Sequence, residues 1–229
     1  MGGALPPPHS KEGIMLKRLK TALCRRRALN AFVSGDFSEA HRLFLKLQVI
    51  SPGEEGIAYN LGLTSMALGR FEEAERYLLD AETEKNRPEV NNILAELYYF
   101  WGKGALASAK YRNWEESRSP LRPELVRTRL ERCLSPEEMT GAAESYKALE
   151  KGSEAMQKGD FQNALRHLED AVAKDGTNYV AWNNLGTLYL NHAKERKKAM
   201  RCFQKAFALA DTPLIRQNMA KAGQGGKEE

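Results

Sequence analysis

The feature that most constrains the fold is a heptapeptide that occurs three times. SGDFSEA (34–40) returns as LGRFEEA (68–74), 34 residues later, and as KGDFQNA (158–164), a further 90 residues along. Each copy keeps a glycine, a phenylalanine and an alanine at the same offsets. Glycine readily adopts the positive φ angle that ends a helix and reverses the chain, whereas alanine lets a second helix pack closely on the first. This recurrence predicts a stack of similar structural units.

The segments on either side of the heptapeptide predict paired helices. In IAYNLGLTSMAL (57–68) the apolar residues fall near helical spacing, and Gly69 ends the pattern. FEEAERYLLDA (71–81) then places its apolar residues on one helical face, and convincing strand patterns are missing. The unit is therefore a helical hairpin. Its aromatic residue is expected to pack back between the paired helices in each copy, namely Phe37, Phe71 and Phe161.

The hairpin resembles the tetratricopeptide repeat, a motif of 34 residues. Residues 55–87 match its pattern with Leu61, Gly62, Gly69, Phe71, Ala74, Leu78 and Ala81. Residues 179–212 match with Trp182, Leu185, Gly186 and Tyr189, and the second helix of this repeat comes one residue late because LNHAKERKK carries an insertion. Weaker matches cover residues 21–54 and 145–178. The resemblance implies an all-α, right-handed α-solenoid with four recognisable repeats, a fold that many unrelated functions share.

The interval of 90 residues predicts a worn repeat and an insertion. A degenerate third repeat fits 88–121, so 13–121 holds repeats 1 to 3, and 122–144 holds an inserted basic helix, RPELVRTRLERCL, and a linker. SPEE (135–138) predicts a helix start with Ser135 as N-cap and Glu138 closing a capping box. Repeats 4 and 5 then occupy 145–212 and a capping helix 213–222. We expect a disordered lead over 1–12 and a flexible tail over 223–229, and Met1 and Met15 both remain candidate start sites.

Basic residues are concentrated in three segments. Residues 11–27 hold seven Lys or Arg against one acid, 101–135 hold eight against four, and 194–205 hold six against one, although the net charge of the chain is only +5. Such segments are either solvated helix faces or binding patches. For the N-terminal helix we favour a cap of the solenoid, then an anionic membrane surface. Nucleic acid fits least because aromatic residues are not interleaved with the charges.

The compartment and the chemistry are predicted from what the sequence lacks. Neither a secretory signal nor a membrane-spanning run is evident, and Cys24, Cys133 and Cys202 are widely separated, which fits small buried residues in a cytoplasmic protein. The chain lacks catalytic and phosphate-binding motifs, so we expect a protein that is not an enzyme, with no cofactor and no metal. His41 and His167 occupy nearly equivalent positions and are expected on the surface.

The resemblance implies that the first helix of each repeat lines a concave, partner-binding groove. Carried onto this chain, the front groove includes Arg25, Tyr59, Asn60, Leu63, Met66, Asn92, Glu96 and Tyr99. The rear groove includes Asn183, Asn184 and Thr187. Asn60 and Asn184 match one element of the repeats that clamp chaperone tails, but the flanking basic elements are missing. We therefore expect a scaffold or adaptor that binds a peptide or helical segment of a protein partner. The alternative is an accessory factor of a membrane-associated or secretion assembly, docked through the basic N-terminal helix.

Overall fold

The computed structural model describes residues 11–83, 89–114, 116 and 119–224. Residues 1–10 of the expected lead and 225–229 of the expected tail lie outside this range, whereas residues 11 and 12 already belong to the first helix. The described chain is all-α, as predicted, and its extended pairing is confined to one antiparallel bridge between Leu121 and Ala210. None of its helices has the length and apolar content needed to cross a membrane.

Two compact units make up the chain, Met1–Arg87 and Pro88–Glu229. The helices of the first unit are α1 (Lys11–Val33), α2 (Phe37–Ile50), α3 (Ile57–Ala67) and α4 (Phe71–Glu82). Those of the second are α5 (Glu89–Phe100), α6 (Gly104–Arg112), α7 (Pro123–Arg132), α8 (Pro136–Gln157), α9 (Phe161–Lys174), α10 (Tyr179–Asn191), α11 (Arg196–Leu209) and α12 (Pro213–Gly223). The predicted hairpins are the pairs α1–α2, α3–α4, α5–α6, α8–α9 and α10–α11.

The heptapeptide forms the turn of a hairpin. Its glycine has a positive φ in all three copies, 81° at Gly35, 68° at Gly69 and 75° at Gly159. In two copies the next residue is an aspartate that caps the second helix, because Asp36 Oδ1 accepts a hydrogen bond from Glu39 N at 3.0 Å and Asp160 Oδ1 accepts one from Asn163 N at 3.2 Å. The motif thus ends one helix and begins the next within two residues.

Small residues bring the paired helices together, and the phenylalanine of the third copy does not pack as predicted. Ala40, Ala74 and Ala164 are fully buried. Phe161, in contrast, is 37% exposed and stacks on the ring of His192, with 3.5 Å between ring centroids. The expectation that the aromatic residue packs back between its own helices is therefore wrong at Phe161, whose ring contacts the next repeat, whereas Phe37 does pack on Phe32 of α1.

The turn between α10 and α11 departs from the glycine pattern. Lys194 adopts a left-handed conformation with φ of 57°, and it is the one residue other than glycine with positive φ in the described chain. Its Nζ donates a hydrogen bond to Asn191 O at 2.6 Å. The insertion read from LNHAKERKK thus places a lysine where the other hairpins use glycine.

The predicted boundary between the insertion and the fourth repeat needs correction. Helix α8 begins at Pro136, so residues 144 and 145 lie in the middle of one continuous helix of 22 residues. Ser135 caps it as predicted, with Glu138 N donating to Ser135 Oγ at 3.3 Å. Glu138 does not close the capping box, because its carboxylate pairs with Arg132 Nη2 at 2.6 Å. The first helix of this repeat is thus extended at its N-terminal end.

Candidate partner-binding surfaces

In the first unit, the candidate surface is one face of α3. Half-buried residues occur there at helical spacing, namely Tyr59, Asn60, Leu63, Met66 and Ala67, while Leu61 and Thr64 are fully buried on the other side. The Asn60 amide is oriented by a hydrogen bond from Nδ2 to Gly56 O at 2.7 Å. Four of the predicted groove residues therefore share a single, partly accessible surface. Arg25 lies on α1, and its guanidinium forms an ion pair with Glu54.

A buried polar cluster lies beneath this surface and corrects the prediction for His41. The His41 ring is only 4% exposed, and its Nδ1 is 3.0 Å from Thr64 Oγ1. Its Nε2 is 3.6 Å from Glu73 Oε1, and Glu73 Oε2 accepts a hydrogen bond from Ser65 Oγ. Burial lowers the pKa of His41, which the negative charge of Glu73 only partly opposes. A histidine expected on the surface is therefore a neutral core residue that joins α2 to α3 and α4.

In the second unit, three residues predicted to line the groove are inaccessible, and one of them is Glu96, which is 7% exposed. Tyr99 is fully buried and Asn92 is 6% exposed. The Tyr99 ring is covered by the guanidinium of Arg129, whose Cζ lies 4.7 Å from the ring centroid. These side chains are therefore not accessible in an open groove in this structure, and at Glu96 and Tyr99 the reason is that Arg129 of α7 covers them.

Arg129 of α7 is a charged residue in the interior of the second unit. Its side chain is fully buried, and its Nη1 donates to Glu96 Oε1 at 2.8 Å and to Tyr111 OH at 2.9 Å. Its Nη2 and Nε donate to Thr177 O at 3.0 Å and Thr177 Oγ1 at 3.3 Å. The other carboxylate oxygen, Glu96 Oε2, accepts from Tyr179 OH at 3.2 Å. Every nitrogen of the guanidinium therefore has a partner, as a buried charge requires.

Electrostatics keeps this arginine charged. Burial alone disfavours the cation, but the surrounding Tyr111, Glu96 and Tyr99 hold the pKa of Arg129 well above its usual value. Burial also raises the pKa of Tyr99 to about 12, so its hydroxyl stays protonated at neutral pH. The guanidinium and the Glu96 carboxylate thus form a desolvated ion pair inside a polar and aromatic pocket.

The predicted residues of the rear groove divide between a packed and an accessible set. Asn183 is buried, and its Oδ1 accepts a hydrogen bond from Asn218 Nδ2 of α12 at 2.9 Å. Asn184 and Thr187 are half-buried, one helical turn apart on α10. Asn183 therefore fastens the last helix, and Asn184 and Thr187 are the residues that a partner can reach.

Sequence reasoning missed the role of Arg129, although a signal exists. In α7 it follows Leu125 and Val126 at helical spacing, so it lies on the apolar face of that helix. A charged residue on an apolar face has to find a buried partner.

In the described part of the chain, no group of three or more His, Cys, Asp or Glu residues is placed to hold a metal ion.

Comparisons with known proteins identify the family. A family model described as "Tetratricopeptide repeat" matches residues 25–90 and 149–211, together more than half of the chain. No curated protein sequence matches this chain. Similar solved structures include a tetratricopeptide repeat protein from Parabacteroides merdae, with 13% identity over 88% of this chain and 98% of that chain and a TM-score of 0.43.

Two further structures are similar at the same level. The complex of the TPR2AB domain of yeast Sti1 with pHSP90 has 14% identity, covering 89% of this chain and 83% of that chain, with a TM-score of 0.41. A thermophilic TPR protein from Thermus thermophilus has 20% identity, covering 88% and 98%, with a TM-score of 0.33. The assignment rests on the family match and on the helical hairpins with their glycine turns. The chain belongs to the tetratricopeptide-repeat family.

Proposed function

We propose that the protein is a non-enzymatic adaptor that binds an extended or helical segment of a protein partner through the first helices of its repeats. Repeat arrays of this family serve as protein-interaction scaffolds. The observation that carries the proposal is the partly accessible face of α3, where Tyr59, Leu63 and Met66 lie beside the oriented amide of Asn60. Aromatic and thioether side chains supply adaptable apolar contacts, and amides recognise a peptide backbone. In the second unit, Asn184 and Thr187 of α10 offer the corresponding surface.

The experiment compares two substitutions that introduce the same charge. Leu63→Glu places a carboxylate on the α3 face, whereas Val49→Glu places one at a site of α2 that is 82% exposed. We expect Leu63→Glu to reduce co-purification of the partner at least about tenfold, as for a charge placed in an apolar contact, while Val49→Glu leaves it unchanged. Equal capture by both variants, with unchanged circular dichroism, would exclude the α3 face.

A separate substitution tests the second unit. Asn184→Ala removes an accessible amide without disturbing the contact between Asn183 and α12. Loss of partner capture would place the partner on α10, and unchanged capture would exclude Asn184 as a binding residue. Co-purification from cells followed by mass spectrometry identifies the partner.

We place the protein in the cytoplasm, which is supported by three cysteines that remain free in the structure.

The exposed side of α1 favours a second candidate function, docking on an anionic membrane. Met15, Leu19 and Leu23 recur every four residues and are 69%, 56% and 53% exposed. Basic residues lie beside this apolar row, namely Lys17, Arg18, Lys20, Arg25 and Arg27, and Arg26 continues the row itself after Leu23. A basic helix that exposes such an apolar row can lie in the interface of an anionic bilayer.

Liposome flotation separates the two candidates. Leu19→Glu should abolish binding to vesicles that contain phosphatidylserine if α1 docks on membranes, whereas Val33→Glu, at the opposite end of α1, should not. Failure of the unaltered protein to float with such vesicles at low salt would exclude the membrane role and leave the adaptor role untouched.

A further inference from the structure

Helix α7 packs on the rest of the second unit in the way that a helical ligand binds its receptor. One face of the helix buries Leu125, Val126 and Arg129, whereas Arg127 and Thr128 on the other face are exposed. Helical peptides bind grooves through anchors with this spacing. The anchoring arginine covers Glu96 and Tyr99, which occupy groove positions in the first helix of the third repeat.

The pocket that receives Arg129 is built entirely from residues outside α7. Glu96 and Tyr99 come from α5, Tyr111 from α6, Thr177 from the segment before α10, and Tyr179 from α10 itself. Phe100 adds a second aromatic face, 5.1 Å from the guanidinium carbon. The same groups therefore remain available to a guanidinium when α7 is displaced.

The chemistry of the pocket selects arginine over lysine. The guanidinium donates four hydrogen bonds to three different residues, and its carbon lies 4.7 Å from the centroid of the Tyr99 ring. A planar fork with donors on three nitrogens fits this arrangement, whereas an ammonium has one nitrogen and could not reach all the acceptors. The Glu96 carboxylate adds charge complementarity that a neutral side chain would leave unpaired.

The chain tethers α7 beside this pocket on both sides. Before the helix, Arg122 N donates to Leu209 O at 3.0 Å, and Asp211 N donates to Pro120 O at 2.8 Å. After it, three residues lead directly into α8. A tethered ligand binds at a high effective concentration, so a competing segment must match its anchors.

We propose that the pocket formed by Glu96, Tyr99, Tyr111 and Thr177 is an arginine-binding site, that Arg129 of α7 is its intramolecular occupant, and that an arginine-bearing helix of a partner displaces α7. The residues of this site differ from Tyr59, Asn60, Leu63, Met66, Asn184 and Thr187 of the proposed adaptor function. Either proposal can therefore fail without the other. The partner that we propose has a helix in which one arginine follows two apolar residues at helical spacing.

Chemical rescue provides the first test. In the full chain, Arg129→Ala empties the pocket, and millimolar methylguanidinium should then raise the midpoint of thermal unfolding while equimolar methylammonium does not. The unaltered protein, whose pocket is filled, should respond to neither. Equal responses to the two cations, or an equal response of the unaltered protein, would overturn the proposal.

Competition by a peptide provides the second test. A fluorescein-labelled peptide of residues 121–132 should bind the Arg129→Ala chain at least about tenfold more tightly than the unaltered chain. Replacing the arginine of the peptide that corresponds to Arg129 by alanine should weaken binding by at least about tenfold, because the buried Glu96 stays unpaired. If Arg129→Ala does not fold, Arg129→Lys takes its place with the same two peptides. Binding that does not depend on the peptide arginine in the variant that folds would overturn the proposal.

Discussion

Asn218 of α12 donates a hydrogen bond from Nδ2 to Asn183 Oδ1 of α10 at 2.9 Å, so a predicted groove residue holds the last helix in place. We expect Asn218→Ala to lower the free energy of unfolding by about 1 kcal/mol, because Asn183 loses its partner in a partly buried position. Urea denaturation measures this loss. Gln217→Ala, at the exposed neighbouring position of α12, is the control and should change stability by less than about 0.5 kcal/mol. Equal effects of the two substitutions would show that the contact is not stabilising.

The buried ion pair between Arg129 and Glu96 should be costly to break from either side. Glu96→Leu or Arg129→Met leaves one buried charge without its counterion, so each is expected to cost roughly 3–5 kcal/mol. The double variant should cost clearly less than the two single variants together, since it leaves neither charge unpaired. A double-mutant cycle from urea denaturation measures the coupling. Additive losses would mean that the two charges do not stabilise each other.

The turn at Lys194 offers a stabilising substitution. Its left-handed conformation costs an L-residue roughly 1–2 kcal/mol that glycine does not incur. Lys194→Gly should therefore raise the free energy of unfolding by about 1 kcal/mol, after loss of the Nζ contact to Asn191 O is allowed for. Gly159→Ala, at the matching turn of the preceding repeat, should act in the opposite direction. A fall in stability for Lys194→Gly, measured in the same urea titration, would contradict this account.

Helices α10 and α11 approach each other closely at Gly186. A methyl group at this position would lie 2.6 Å from Cε1 of Phe203, which is fully buried. Gly186→Ala should cost about 1–3 kcal/mol by overpacking. Gly176→Ala provides the matched control, because its added methyl would come no closer than 4.0 Å to Val172 O. Thermal unfolding of both variants tests the prediction, and equal midpoints would show that the hairpin can relax around the methyl.

The buried His41 should make the stability of the first unit depend on pH. Its pKa is lowered in the folded state, chiefly by burial, so the unfolded state binds the proton more readily. The stability that comes from neutral His41 is present above about pH 6.5, the pKa of an unperturbed histidine. It is lost as pH falls from there through the lower pKa of the folded state. Unfolding midpoints between pH 5 and 7.5 should fall more steeply for the unaltered protein than for His41→Gln. Parallel curves would exclude this role of His41.

The hairpins can be predicted from the sequence because their determinants are local. Gly35, Gly69 and Gly159 specify a left-handed turn, and the alanine five residues after each specifies a close helix pair, whatever surrounds them. The start of α8 is also local, since Ser135 and Pro136 mark it. A regular 34-residue repeat predicts a boundary at residue 145, which lies in the middle of this helix. The prediction fails because the family pattern does not include an extended first helix.

The candidate site depends on contacts between distant residues, and these cannot be predicted from repeat positions. From its position in the repeat, Tyr99 is predicted to line the groove, but Arg129, thirty residues later, covers it. His41 is equivalent to His167 by counting, yet Thr64 and Glu73 of the next hairpin enclose it. A position in a repeat specifies which way a side chain points, and the neighbouring elements determine whether a partner can reach it.

The antiparallel bridge between Leu121 and Ala210 has a consequence for how the second unit comes apart. Helical repeat arrays gain most of their stability from adjacent repeats, so their ends can fray one hairpin at a time. Here the pairing, together with the contact of Arg122 Nη2 with Asp211 Oδ2, joins segments 89 residues apart and closes a loop around α7 to α11. Opening the C-terminal hairpin therefore also detaches the segment that leads into α7. We expect amide hydrogens from α8 to α11 to exchange in one cooperative event rather than in a gradient along the chain.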